Sequence, residues 1–274
     1  MSQSSNTPIV LSVAGSDSGG GAGIQADIKA ISATGSFACT VITALTAQNT
    51  QGVTGVMGIP GDFIEQQFDA VFSDIDIDAV KIGMLGDAAT IRTVAATLRK
   101  HKPRFVVLDP VMVATSGDVL LAKDAIETLI TELIPLADLI TPNLPEARAL
   151  LQARPELNTA AEDDTAAHCK QLLSYGCRSV LIKGGHQEAD SSTDFLLDDS
   201  GLRTYSSPRI DTQNTHGTGC TLSASIASYL AQGLAMPEAI QQAKNYIQGA
   251  IEYADQLKIG QGSGPVHHFY RQGH

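Results

Sequence analysis

The chain has 274 residues, with 18 Lys and Arg against 29 Asp and Glu, a net charge of −11. That balance argues against sequence-independent binding to nucleic acid or to an anionic membrane surface, both of which need clustered basic residues. No apolar run reaches the roughly 18 residues of a membrane span, and 43% hydrophobic against 17% charged residues describes a chain that buries a core.

Residues 1–8 read as a flexible polar tail without the basic start of a secretory signal, so a cytoplasmic protein is expected. Ile9–Ala14 is a short apolar run that ends in a glycine-rich loop, Gly15–Gly23. Ile24, Ile28 and Ile31 then recur with helical spacing up to Gly35. Cys39–Leu45 predicts a buried strand and Gly52–Ile59 a second extended piece. A helix follows, carrying Ile64, Phe68, Val71 and Phe72 on one face, with Asp62 as its expected N-cap. Ala79–Met84 is a strand, Ala88–Lys100 a helix, and Phe105–Asp109 a strand stopped by Pro110. Lys123–Ile134 predicts a helix, Leu136–Thr141 a strand stopped by Pro142, and Pro145–Gln152 and Ala161–Tyr175 two more helices. Val180–Lys183 is a strand, Phe195–Leu197 and Leu202–Tyr205 a hairpin, and Thr218–Gln232 and Pro237–Leu257 the last two helices.

Strand–helix alternation with short links implies right-handed crossovers and a parallel sheet covered on both faces. With no break in composition, residues 9–274 read as one three-layered α/β domain. Ligands of such sheets bind outside the carboxyl ends of the strands. That places Gly15–Gly23, Met84, Asp109–Val111, Thr141–Glu146 and Lys183–His186 along one rim. Cys39, Cys169, Cys177 and Cys220 form no Cys-x-x-Cys pair and read as reduced thiols.

Four stretches on or near that rim suit chemistry. Gly15–Gly23 holds five glycines in nine residues, more than a turn needs, which favours close approach of a ligand to the backbone. Its Gly21-x-Gly23-x-x-Ala26 spacing fits a dinucleotide fingerprint only formally, because Val41–Asn49 lacks the acidic residue that such a fingerprint requires. Asp27, near the start of the next helix, reads either as a dipole partner or as a hydrogen-bond partner for a substrate lying over the loop. Asn214-Thr215-His216-Gly217-Thr218-Gly219-Cys220 leads into a helix, where free backbone N–H groups and the dipole make an anion site for a transferred phosphoryl group. Cys220 sits at that positive end, where a lowered thiol pKa is expected, although a small buried cysteine is an equal reading.

Asn143 and Glu146 face one point across a helical turn and suit Mg²⁺, but their spacing is also a capping box, and on pattern alone the cap is the stronger reading. Lys183 before Gly184 and Gly185 can reach a nucleotide phosphate or be an ordinary surface lysine. Asp109 is a carboxylate at a strand end. A Walker lysine loop and a G-x-S-x-G elbow are both absent from the sequence.

Taken together, the blocks Ala14–Asp17 with Gly19–Asp27, Ile42–Leu45 with Ala47–Thr50, Lys81–Leu85, Leu108–Met112, Ile140–Glu146, Lys183–His186, Asn214–Ser223 and Gly264–Phe269 resemble the ribokinase-like superfamily. Within it they resemble the hydroxymethylpyrimidine/phosphomethylpyrimidine kinases of thiamine biosynthesis, from about Ile9 to Phe269. The resemblance implies a three-layer α/β/α fold around a mainly parallel sheet, and a homodimer. It also implies transfer of the ATP γ-phosphoryl group, with Mg²⁺, to 4-amino-5-hydroxymethyl-2-methylpyrimidine and then to its monophosphate. Carried over by motif, Gln48 would bond the pyrimidine edge, and Gly15, Asp27, Met84 and Val111 would line its pocket. Gly217, Thr218 and Gly219 would form the anion hole. Asn143, Glu146 and Asp109 would organise Mg²⁺ and phosphates, and Lys183 would contact the nucleotide. Most of the superfamily has an acidic base where this chain has Cys220, and the pyrimidine kinases share the cysteine, which would act on the acceptor hydroxyl as base or by positioning it. The same fold also serves pyridoxine/pyridoxal kinases, the nearest alternative; a non-catalytic pyrimidine- or nucleotide-binding protein is an alternative of another class.

Overall fold

The computed structural model describes residues 7–114, 117–118, 120–122, 124–155, 164–184 and 190–272. The first half runs β1 (Ile9–Asp17), α1 (Gly23–Ala33), β2 (Phe37–Asn49), β3 (Gly52–Gly58), α2 (Gly61–Phe72), β4 (Ala79–Ile82), α3 (Ala88–His101) and β5 (Val106–Leu108). After it come α4 (Ala125–Thr128), β6 (Leu139–Ile140), α5 (Leu144–Gln152), α6 (Thr165–Leu173) and β7 (Val180–Ile182). The chain closes with β8 (Ser191–Asp198), β9 (Gly201–Pro208), α7 (Thr218–Ala231) and α8 (Met236–Glu252).

The nine strands form one sheet in the order β3-β2-β1-β4-β5-β6-β7-β8-β9. The six central strands pair in parallel, so their carboxyl ends open on one rim; β3 at one edge and the β8–β9 hairpin at the other are antiparallel. Alternate strand residues face opposite layers. Leu11, Val13, Val80 and Ile82 pack with Ile64 and Phe68 of α2, Ile91 of α3 and Leu150 of α5. Val10, Ala79, Val107 and Leu139 pack on the other face with Ile31 of α1, Ile226 of α7 and Ile240 of α8. The expected three-layer α/β/α fold with a mainly parallel sheet is what the chain forms.

The differences from the sequence reading are local. β1 continues through Gly15 to Asp17, so the glycine-rich loop is shorter than Gly15–Gly23. α2 begins at Gly61 after Pro60, and Asp62 lies in the first turn instead of capping. The helix expected over Lys123–Ile134 is broken: α4 passes into a π-turn at Leu129–Leu133 and a 3₁₀ turn at Ile134–Leu136. Pro135, which cannot donate a helical hydrogen bond, sits inside that last turn. The strand expected at Leu136–Thr141 shrinks to Leu139–Ile140, and the last helix stops at Glu252. Gly185, His186 and the expected helix starts at Lys123 and Ala161 lie outside the described residues.

Candidate active site

The rim is built by residues that end the parallel strands. Asp109 follows β5 and is 2% exposed. Its carboxylate accepts from Lys183 Nζ at 2.6 Å, from Thr141 Oγ1 at 3.0 Å and from Ser223 Oγ at 3.4 Å. Burial alone would raise its pKa, but Lys183 and the buried Lys81 bring it below the ordinary value. The same pairing keeps the Lys183 ammonium charged: burial works against the charge, and the Asp109 and Glu146 carboxylates outweigh it. A Cβ placed on Gly219 would lie 3.3 Å from Lys183 Nζ and 3.5 Å from Asp109 Oδ2. The start of α7 therefore stands directly over this ion pair.

Asn143 and Glu146 form the capping box at the head of α5. Asn143 accepts from the Glu146 N–H and Glu146 from the Asn143 N–H, both at 2.8 Å. The carboxyl nonetheless belongs to the Lys183 group. Burial pushes Glu146 up to about 7, Lys183 pulls it down and Asp109 adds to the rise. A raised carboxyl favours folding below its unfolded value, and that advantage is lost as pH rises through about 7. Glu146→Gln keeps the capping acceptor without the charge. Melting curves should show it a few degrees above the wild type at pH 8 and level with it at pH 5; equal shifts at both values would contradict this.

Above the rim, Gly217 caps α7 with φ +80°, followed by Thr218, Gly219 and Cys220. First-turn N–H groups have no acceptor within the helix; that of Thr218 donates to the Thr215 carbonyl at 3.2 Å. The Cys220 thiol does not follow the helix-terminus expectation of a lowered pKa. Removal from water pushes it up to about 11; Lys81 and a hydrogen bond from the Gly23 N–H lower it, while Asp27 and Asp109 raise it. At about 11 the thiol is neutral at pH 7, and desolvation is the largest of these effects.

On the acceptor side, Gln48 forms part of the wall of a cavity of about 270 Å³ with His216, Asn49, Thr50 and Gly262. Gly15 packs against Met84, whose sulfur lies 3.0 Å from where a Cβ would stand. Met84 is held by Thr43 Oγ1, which donates to its carbonyl at 2.7 Å. Val111 is half-buried behind Asp109, donating its N–H to the Asp109 backbone carbonyl at 2.8 Å. None of Gly15, Met84 and Val111 lines the cavity beside Gln48. Asp27 differs from the expectation of a substrate contact. It is fully buried, and its oxygens accept from Lys81 Nζ at 2.8 and 2.9 Å and from Ser12 Oγ. Beneath the loop it neutralises a buried lysine.

The sequence reading missed three side chains at this rim. Lys81 stands alone among apolar residues in β4, a strand buried on both faces; a charge there needs a buried partner, and that signal was available. Asp17 ends β1 and accepts from the N–H groups of Gly19, Gly21 and Ala22 at 2.7, 3.0 and 2.8 Å. His216 pairs with Asp17 across 199 residues, a contact that no local pattern reports.

Solved kinases of ribokinase-like fold superpose on most of this chain. A Bacillus subtilis pyridoxal kinase, solved as an ADP complex, superposes with a TM-score of 0.87 at 34% identity, over 98% of this chain and 100% of that one. A Clostridium difficile phosphomethylpyrimidine kinase superposes with a TM-score of 0.77 at 42% identity, over 89% and 99%. A hydroxymethylpyrimidine/phosphomethylpyrimidine kinase of Rhizobium meliloti is 53% identical over 265 residues, 97% of this chain and 98% of that protein. The family model for phosphomethylpyrimidine kinase matches residues 17–267, and the chain belongs to that family.

Proposed function

We propose that this chain transfers the γ-phosphoryl group of ATP to the hydroxymethyl oxygen of 4-amino-5-hydroxymethyl-2-methylpyrimidine. A second transfer to the resulting monophosphate yields the pyrophosphate used in thiamine biosynthesis. The observation that carries the reading is the N-terminus of α7 standing over the Lys183–Asp109 pair. Fixed amides and a buried ammonium there meet the charge that spreads over a transferred phosphoryl group. The names of the relatives and the ADP complex of the Bacillus neighbour support the substrate and the nucleotide.

In this reading the Gly217, Thr218 and Gly219 amides receive the phosphoryl oxygens, and Lys183 contacts the nucleotide phosphates. Gln48 pairs with the pyrimidine edge, while Gly15, Met84 and Val111 shape the space for its ring. Cys220, a neutral thiol, orients the acceptor hydroxyl; a loose transition state asks for little deprotonation before the phosphorus–oxygen bond forms. Asp109 and Glu146 are oxygen donors of the kind Mg²⁺ selects, with Asn143 fixing Glu146. Among the described residues no group of three or more His, Cys, Asp or Glu could hold a metal, so phosphate oxygens and water would complete its shell. When bound, that ion neutralises charge on the phosphates. The same proposal comprises one domain over residues 9–274, a cytoplasmic location and a homodimer, for which the exposed Val56 and Met57 on the edge strand β3 offer apolar surface.

An ADP-release assay with the pyrimidine and with vitamin B6 compounds tests the reading. Turnover of the pyrimidine supports it. Turnover of vitamin B6 compounds alone, or pyrimidine binding without ADP release, contradicts it. Cys220→Ala should lower kcat about 10²-fold, the cost of a misplaced acceptor, with a much smaller change in pyrimidine affinity by calorimetry; equal losses would make the thiol a wall of the pocket. Gln48→Ala should raise the KM for the pyrimidine about tenfold, the cost of one hydrogen bond, and an unchanged KM would remove that contact.

A further inference from the structure

We infer that Asp17 and His216 form a latch that fixes the glycine-rich loop after β1 against the loop that opens α7, making both of them positioning residues. Calling these the acceptor and phosphoryl sides rests on the kinase reading above; the latch itself does not. The Asp17 carboxylate gathers one loop, accepting from the amides of Gly19, Gly21 and Ala22. Its Oδ2 also lies 3.0 Å from Nε2 of His216, the residue before Gly217. A carboxylate has no proton to give, so the ring N–H donates. Both residues are buried, at 2% and 8% exposed.

The backbones interlock at the same place. A Cβ on Gly21 would lie 2.3 Å from His216 Cδ2, and one on Gly217 would lie 1.9 Å from the Gly21 carbonyl oxygen. His216 is anchored from behind as well, its N–H donating to the Gly264 carbonyl at 3.0 Å. Gln48 Nε2 lies 3.4 Å from the same ring nitrogen, so the latch also borders the residue assigned to the pyrimidine edge. Glycines allow the two loops to touch, and the charged hydrogen bond sets their register. A transfer between groups held on separate loops depends on that register, because a misplacement of 1 Å costs about 10²-fold in rate.

Amide hydrogen exchange on the ligand-free protein tests the latch. His216→Phe keeps a ring against Gly21 but cannot donate. It should speed exchange about tenfold at Gly19, Gly21 and Ala22 as well as at position 216 and Thr218, whose N–H groups donate to the Gly264 and Thr215 carbonyls, the loss of one hydrogen bond. Steady-state kinetics should show kcat reduced about 10–10²-fold and the KM for ATP within about threefold of wild type. His216→Gln, whose amide N–H stands in for Nε2–H, should restore both readouts. Exchange that rises only at position 216 and Thr218, or a glutamine variant no better than the phenylalanine one, overturns the latch. A wild type that phosphorylates no pyrimidine would defeat the kinase reading, and the exchange data would still decide the latch.

Discussion

Replacing Lys81 by methionine is expected to lower the unfolding free energy by about 3–5 kcal/mol, the cost of leaving a buried charge without its partner. Lys81 and Asp27 are both 0% exposed, and the ammonium lies 2.8 and 2.9 Å from the two carboxylate oxygens. Burial drives the Asp27 carboxyl up and the lysine is its main counterweight. Without the lysine, Asp27 must take up a proton or stay charged among Ser12 and the apolar layer between sheet and α1. The double variant Lys81→Met with Asp27→Asn removes both charges and should recover much of the loss. Denaturant unfolding at pH 7 reads both. A single variant that loses under about 1 kcal/mol would show the pair to be worth no more than a surface one.

Gly217→Ala should reduce kcat/KM about 10³-fold, the upper range for losing one preorganised donor at a developing charge. The position combines φ +80° with a Cβ that would sit 1.9 Å from the Gly21 carbonyl oxygen. An alanine there has to push the two loops apart, moving the amides of Thr218 and Gly219 from the phosphoryl site. The strain is confined to a loop, so the melting temperature should fall far less than activity. An alanine variant with near-normal turnover would show that these amides are not the anion hole.

The sequence announced the rim well because its strand ends are punctuated by residues with one meaning: Pro110, Pro142 and Gly184 each stop a strand just after a polar side chain. Asn143 and Glu146 fitted two readings, a cap and a ligand pair. The structure shows the cap formed, on a carboxyl that also belongs to the Lys183 group, so neither reading excludes the other. Contacts made across the fold were hidden. Asp27 looked available from its place near a helix start, and only the adjacency of β4 to β1 reveals Lys81 beneath it. The Cys220 expectation failed because a helix dipole can be read from sequence, whereas the depth of a thiol cannot. The π-turn after α4 likewise depends on how Leu129, Ile130 and Leu133 settle into the core.

The central claim is that one chain phosphorylates the pyrimidine twice. Phosphorus NMR of the purified protein with ATP, Mg²⁺ and 4-amino-5-hydroxymethyl-2-methylpyrimidine follows both products in one tube. The expected record is a monophosphate resonance that rises first and then yields to the paired signals of a pyrophosphate ester, while ADP accumulates. A spectrum in which ATP persists and no phosphorylated pyrimidine forms would contradict the account, and one that stops at the monophosphate would remove its second step.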